Sequence, residues 1–227
     1  MSRQREALTI FTGPMNSSKT RRLLDHLSEA RDALEYSISV FKPGTDDRNN
    51  DLNQITCRNG GSWCAIPTPR QENGISSSLY ILDCIYRKKQ IVKPDLVGID
   101  EVQFFDQDLK DVVQYLIRDH VEVAVSGLNR DFRGEPFPTI ESLMPLATRI
   151  ETLTARCTYK NGDKRSCGAP ATMTQRLIDG QPASYKCPTV VIEGKDKNIT
   201  YEARCLDHWF CPDIPQSRLV DYLKKND

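Results

Sequence analysis

Ile10-Phe11-Thr12-Gly13-Pro14-Met15-Asn16-Ser17-Ser18-Lys19-Thr20 sets an apolar strand end, a loop with phosphate-binding spacing and a polar helix start in direct succession. A phosphate loop aims backbone N–H groups, a helix N-terminus, one Lys and one Ser/Thr hydroxyl at the phosphates and Mg²⁺ of a nucleoside triphosphate. Gly13, Lys19 and Thr20 stand at the spacing of G-x-x-x-x-G-K-[ST], with Met15, Asn16 and Ser17 in the loop between them. Ser18 stands where that pattern has its second glycine. A Cβ there costs about 1–3 kcal/mol if the backbone must be left-handed. At ordinary helical angles the penalty vanishes and the hydroxyl is free to meet a phosphate. Without further support the same residues read as a Ser-rich helix N-cap.

The support comes from Leu96-Val97-Gly98-Ile99-Asp100-Glu101, an apolar run that ends in acid. A buried parallel strand of this kind carries a carboxylate to the carboxyl edge of the sheet, beside the phosphate loop, where it holds Mg²⁺ or its waters. Asp100 fits that role. Alone, the run would read as a strand ending at a solvated acidic turn.

Around these two segments, strands and helices alternate. A strand is expected over 7–12, a helix from Thr20 to Leu34 (Leu23, Leu24, Leu27, Ala30 and Leu34 at helical spacing) and a strand over 36–41, broken by Pro43-Gly44. Helices over about 76–89 and 107–118 and a strand over 121–126 complete a parallel sheet with crossovers. The expected fold is therefore α/β, a phosphate-loop (P-loop NTPase-like) sheet over 1–153. From Thr154 onward cysteines, glycines and prolines become dense and helical periods vanish until a tail near 217–225. This segment reads as a small C-terminal zinc-binding domain over 154–210, followed by a tail over 211–227.

The chain of 227 residues is 38% hydrophobic, enough for a packed core, and its 31 basic residues balance 31 acidic ones. No net field draws in a polyanion, so nucleic acid is not an expected partner. No apolar run approaches the roughly 18 residues that span a bilayer, and the start has no signal-like apolar stretch. A membrane partner is not expected, and a reducing cytoplasm is.

In that compartment the eight cysteines read as free thiols and metal ligands rather than a disulfide scaffold. Cys157 and Cys167 flank a loop with an Asn161-Gly162 turn signal, and Cys205-Leu206-Asp207-His208 has C-x-x-H spacing. These four N/S ligands suit a closed, structural Zn²⁺ site that staples a region with little core. Cys211 rivals His208 as the fourth ligand, because Cys205, His208 and Cys211 recur every three residues. Cys57, Cys64 and Cys84 read as small buried hydrophobes, and Cys187 has no assignment.

In order, GPMNSSKT, DDR, DEVQFF, GLNRDFRGEPF, ATMTQRL and YEARCLDHW resemble the type II thymidine kinase family, from about Leu8 to Trp209. The resemblance implies transfer of the γ-phosphate of ATP to the 5′-hydroxyl of thymidine, with deoxyuridine as a second acceptor. By that likeness Lys19 and Thr20 hold phosphates and Mg²⁺, Asp100 is the Mg²⁺ partner, and Glu101 is the base that takes the hydroxyl proton. Arg48, two residues after Asp46, would be a mobile cation near the phosphates, with Arg176 a second candidate. The bland reading of either arginine is a solvated surface charge.

The nucleoside side is implied to be aromatic, because rings give a flat base stacking area at small entropic cost. Met15, Phe104, Leu128, Phe132, Phe137 and Tyr201 would line it, with Thr174 near the base. Phe132, set between the charged Asp131 and Arg133 and so poorly placed for a core, is expected to stack on the base. Main-chain groups of a zinc-anchored lasso around Val190, Ile192 and Gly194 would grip thymine. The likeness further implies a homotetramer and feedback inhibition by dTTP. Other readings stay open: a phosphate-loop enzyme with another acceptor, a catalytically impaired nucleotide-binding protein prompted by Ser18, and a zinc-ribbon nucleic-acid binder.

Overall fold

Short apolar runs, buried along their whole length, decide the centre of the molecule. The computed structural model describes residues 6–44, 53–57, 60–69, 71–72, 75–87, 92–160, 162, 165–189 and 198–215. Six strands, β1 (Leu8–Gly13), β2 (Ile38–Pro43), β3 (Ile66–Thr68), β4 (Leu96–Ile99), β5 (Glu122–Leu128) and β6 (Arg149–Thr152), form one sheet. All are parallel, in the spatial order β6-β1-β5-β4-β2-β3. Phe11, Val40, Leu96 and Ala124 face one side, where α1 (Lys19–Leu34) lays Leu23, Leu24, Leu27 and Ala30 against them. Leu8, Ile10, Val97, Ile99, Val123 and Val125 face the other, against Ile81 of α2 (Leu79–Leu82), Val112, Val113 and Leu116 of α3 (Leu109–Arg118), and Ile140 and Leu143 of α4 (Pro138–Leu143). A sheet sealed on both faces exposes function only at its strand ends.

Several boundaries differ from the sequence reading. β2 runs on through Pro43, which lies past the last residue paired with β4, Phe41 opposite Ile99, so its missing N–H breaks no bond of that ladder. Of the helix expected over 76–89, residues 88–89 lie outside the described residues, and the rest holds α2 followed by a wider π turn over Asp83–Arg87. Its expected start is diverted, since Ser77 and Ser78 bond Asp106 instead of opening a helix. The strands β3 and β6 and the helix α4 are too short to carry a period. Cys84 is buried as expected, but Cys57 is only half-buried and Cys64 exposed, both beside a small hairpin, 54–56 with 62–64. Cys64 is therefore no core residue.

Past β6 the architecture changes to antiparallel ribbons. Ala155–Arg156 pairs with Pro170–Ala171, and β7 (Met173–Ile178) lies between β8 (Gln181–Pro182) and β9 (Ile199–Arg204). The turn from β7 to β8 is Asp179-Gly180, both at positive φ (49° and 78°), the geometry of a two-residue hairpin. Its local cores are small, one of Ala155, Cys157, Ala171, Ala203 and Cys205. The expected tail helix near 217–225 lies outside the described residues. Among those residues, no helix is long and apolar enough to cross a membrane.

Candidate active site

The loop after β1 is shaped by its first residue. Gly13 has φ 153°, and a Cβ on it would sit 2.4 Å from the Leu153 carbonyl oxygen and 2.9 Å from Ser17 Oγ. No side chain fits there. Asn16 and Ser18 follow at φ 63° and 66°, both left-handed. The left-handed alternative for Ser18 is thus the one realised, and ordinary helical angles are not. The Lys19 ammonium donates to the Pro14 carbonyl (2.7 Å), as does the Ser17 hydroxyl (2.8 Å). The loop therefore closes on itself, with Lys19 folded over it, and α1 begins with no acidic residue in its first turn. Such a helix end favours an anion.

The order of strands puts the acids opposite this loop. Only β5 separates the ends of β1 and β4, and Asp100 and Glu101, 4% and 9% exposed, follow β4 directly. The Asp100 carboxylate accepts from the Thr20 hydroxyl at 3.3 and 3.2 Å, from Ser126 Oγ on β5, and from the Glu101 N–H at 3.0 Å. Thr20 and Asp100, expected to share Mg²⁺, are thus in contact. Glu101 turns away on a left-handed backbone, φ 52° and ψ 44°, a strain of about 1–3 kcal/mol that surrounding structure must hold. Gln103 supplies one restraint: its amide donates to Glu101 Oε2 and accepts the Leu128 N–H at 3.0 Å. Room for that amide exists because Gly127 has no side chain, and a Cβ there would meet Gln103 Oε1 at 2.8 Å. The strand pattern gives Ser126 and Gln103 no signal of their roles; Gln103 sits in DEVQFF without one.

Of the residues expected on the nucleoside side, Met15 and Thr174 meet directly, the Met15 N–H donating to Thr174 Oγ1 at 3.0 Å. This bond joins the phosphate loop to β7. Leu128 and Phe137 are buried, and Phe104 and Tyr201 are half-buried. Phe132 departs from the expectation that its charged neighbours keep it out of a core. It is 2% exposed and packs with Ala183 and Cys211, flanked by Tyr185, Cys187 and Trp209. Its charged neighbours do not keep it out of the core, because Asp131 pairs with Arg133 at 2.8 Å and accepts the N–H groups of Arg133 and Glu135. Arg176 is likewise no surface charge: it is 1% exposed. Arg48, Val190, Ile192 and Gly194 lie outside the described residues.

Cys157, Cys167, Cys205 and His208 converge, their ligand atoms all within 4.8 Å of one another. Thiolates around a tetrahedral Zn²⁺, with Zn–S about 2.3 Å, stand about 3.8 Å apart, so the donor set and spacing fit that ion. His208 Nδ1 lies 3.3 Å from Cys205 Sγ and 3.8 Å from Cys157 Sγ, and its ring stacks on Tyr159 at 4.2 Å. Burial opposes a thiolate at Cys157, but hydrogen bonds from the Cys205 and Tyr159 backbones and the His208 side chain outweigh it and bring the pKa down to about 7. Burial pushes the neighbouring Cys205 thiol up instead, so of this pair Cys157 ionises first. Cys211 is not a rival ligand: its thiol is buried near the Ala183 carbonyl, in the cluster around Phe132, with Cys187 packed alongside.

The thymidine kinase family model matches residues 6–209. The thymidine kinase of Thermococcus kodakarensis is 35% identical over 209 residues, which cover 91% of this chain and 95% of that protein. That of Pyrobaculum aerophilum is 38% identical over 205 residues, 90% of this chain and 99% of its own. That of Mycoplasmoides gallisepticum is 38% identical over 203 residues, 89% and 80% respectively.

Proposed function

The chain belongs to the thymidine kinase family, and on that premise we propose that it transfers the γ-phosphate of ATP to the 5′-hydroxyl of thymidine, giving dTMP for DNA-precursor salvage. Deoxyuridine is the second acceptor. The observation that carries the reading is the meeting of Thr20 and Asp100 across the end of β5, with Glu101 next to them. In this reading Asp100 serves the phosphate side and Glu101, its carboxylate bonded by the Gln103 amide, serves the acceptor.

In this reading Lys19 exchanges the Pro14 carbonyl for a phosphate oxygen, and Gly13, Met15, Asn16, Ser17 and Ser18 present the loop backbone. Thr20 and Asp100 would hold Mg²⁺, which offsets phosphate charge when bound. Glu101 takes the 5′-hydroxyl proton, its carboxylate held by Gln103. Arg48 adds a cation near the phosphates. Met15, Phe104, Leu128, Phe132, Phe137, Thr174 and Tyr201 line the nucleoside side, with main-chain groups around Val190, Ile192 and Gly194. Cys157, Cys167, Cys205 and His208 would hold a structural Zn²⁺ that closes the C-terminal region. A homotetramer, inhibition by dTTP and a cytoplasmic site of action complete the proposal.

The test is transfer of label from [γ-³²P]ATP to thymidine, deoxyuridine and deoxycytidine by the purified protein. Labelled dTMP is the expected main product. No labelled nucleotide from thymidine, or faster labelling of deoxycytidine, would overturn the assignment.

A further inference from the structure

Arg176 heads the largest of the fully buried side chains, and its cation has no carboxylate partner among the described residues. Its two terminal nitrogens donate to successive backbone carbonyls, those of Pro188 and Thr189. The guanidinium lies 3.9 Å from the centroid of the Phe132 ring and 5.2 Å from that of Tyr201, while Nε has no partner. Burying a cation without a counter-charge is strongly unfavourable, and carbonyl dipoles with aromatic faces offset it only in part. A methionine would fill the space without that penalty. The arrangement is therefore one that packing alone does not require.

The strand that carries Arg176 shows what the arrangement does. Thr174 accepts the N–H of Met15 from the phosphate loop at 3.0 Å. Gln175 clasps the backbone of Phe210, just past the Cys/His cluster, by two bonds of 2.9 and 3.0 Å. Arg176 then fixes the chain at Pro188–Thr189 against Phe132 and Tyr201. Three consecutive residues of β7 thus join the phosphate loop, the metal-ligand cluster and the aromatic layer. Resting on the thymidine kinase reading, we infer that Arg176 is the positioning residue of the nucleoside half of the site, acting through Tyr201, Phe132 and the Pro188–Thr189 backbone rather than touching phosphate. The planar fork is the operative feature, since one ammonium cannot serve two fixed carbonyls while lying flat between rings.

The experiment uses the full chain with Arg176→Met and Arg176→Lys, and reads the KM for each substrate, kcat, and hydrogen exchange of the peptide spanning 183–189. In Arg176→Met the KM for thymidine should rise about tenfold or more, with the KM for ATP within about twofold and faster exchange in that peptide. Arg176→Lys should share the thymidine defect, and it carries the test if the Met variant does not fold. Equal rises in both KM values, unchanged thymidine KM in either variant, or full rescue by Lys would overturn the inference. Should the parent protein not phosphorylate thymidine at all, the kinase reading falls alone. Exchange in the 183–189 peptide still judges Arg176, and unchanged exchange in Arg176→Met would refute its positioning role.

Discussion

Asp100 and Glu101 stand at the end of a strand whose Leu96, Val97 and Ile99 are sealed between helices on both faces. Arg176 stands in a ribbon beside a local core of Ala155, Cys157, Ala171, Ala203 and Cys205. The first region holds strained geometry, left-handed backbone at Asn16, Ser18 and Glu101, because large apolar contacts over-determine it. The second has few such contacts, so placement falls to directional groups: four metal-type ligands, a guanidinium fork and the Gln175 clasp. Burial in bulk tolerates the loss of a single polar tie. A region assembled from ties does not.

The largest effect should come from Glu101, the proposed base. Glu101→Gln keeps the shape and the Gln103 contact but removes the basicity, so kcat should fall by roughly 10²-fold or more while thymidine binding by calorimetry persists. Near-normal turnover in that variant would remove Glu101 from the mechanism. Next comes the metal cluster. One equivalent of zinc should copurify with the chain, and Cys205→Ser should lose it and weaken thymidine binding at least about tenfold, with MgATP binding much less affected. If the variant lost both ligands equally, the two regions would not be separable and the comparison would fail.

How much of this could be read in the residues follows the same division. The sheet region was legible because burial on both faces writes itself as apolar runs and helical spacing, and because Gly13, Lys19, Thr20 and Asp100 belong to patterns with a fixed physical purpose. The four metal-type ligands were legible as chemistry, although choosing His208 over Cys211 needed the fold, since both fall on the same three-residue spacing. The burial of Arg176 and Phe132 is not legible in the sequence. A buried cation looks like any arginine, and a Phe between two charges looks exposed until those charges are seen to pair with each other. Ser126 and Gly127, and Gln103 in its bond to Leu128, act across strands, and no local pattern reports contacts between residues so far apart in the chain. Asp179-Gly180 did carry a hairpin signal, one that an argument from helical period passes over.

Ser18 probes how firmly the sheet region holds strain. Its backbone is left-handed, φ 66° and ψ 28°, with the side chain exposed. Strain of this kind weighs on the folded backbone. Ser18→Gly should stabilise the protein by about 1 kcal/mol, seen as a higher denaturation midpoint, with MgATP affinity changed less than about twofold. A marked gain in MgATP affinity instead would mean that the Ser18 side chain obstructs the phosphates, and that core packing does not set the loop.

The smallest effect is expected from a polar clasp inside the sheet region, the counterpart of Arg176 in the other. Asp106 accepts the Ser77 hydroxyl at 2.7 Å, the Ser78 N–H at 3.2 Å and the Asp108 N–H at 3.1 Å, tying the start of α2 to the segment after Glu101. Burial raises its pKa, but the bonds from Ser77 and Ser78 outweigh that and hold it below the usual aspartate value. A carboxyl whose folded pKa is depressed stabilises the fold fully above its unfolded value of about 3.9 and loses that contribution as pH falls through the lower, folded one. Asp106→Asn removes this titration. Denaturant midpoints of the parent and Asp106→Asn should therefore converge on acidification below about pH 3.9, the parent's advantage at neutral pH being slight because Ile81, Val112 and Leu116 hold the same elements by packing. A large advantage at neutral pH, or one that grows in acid, would show that the sheet region too depends on single ties, and the contrast with the cysteine-rich region would be lost.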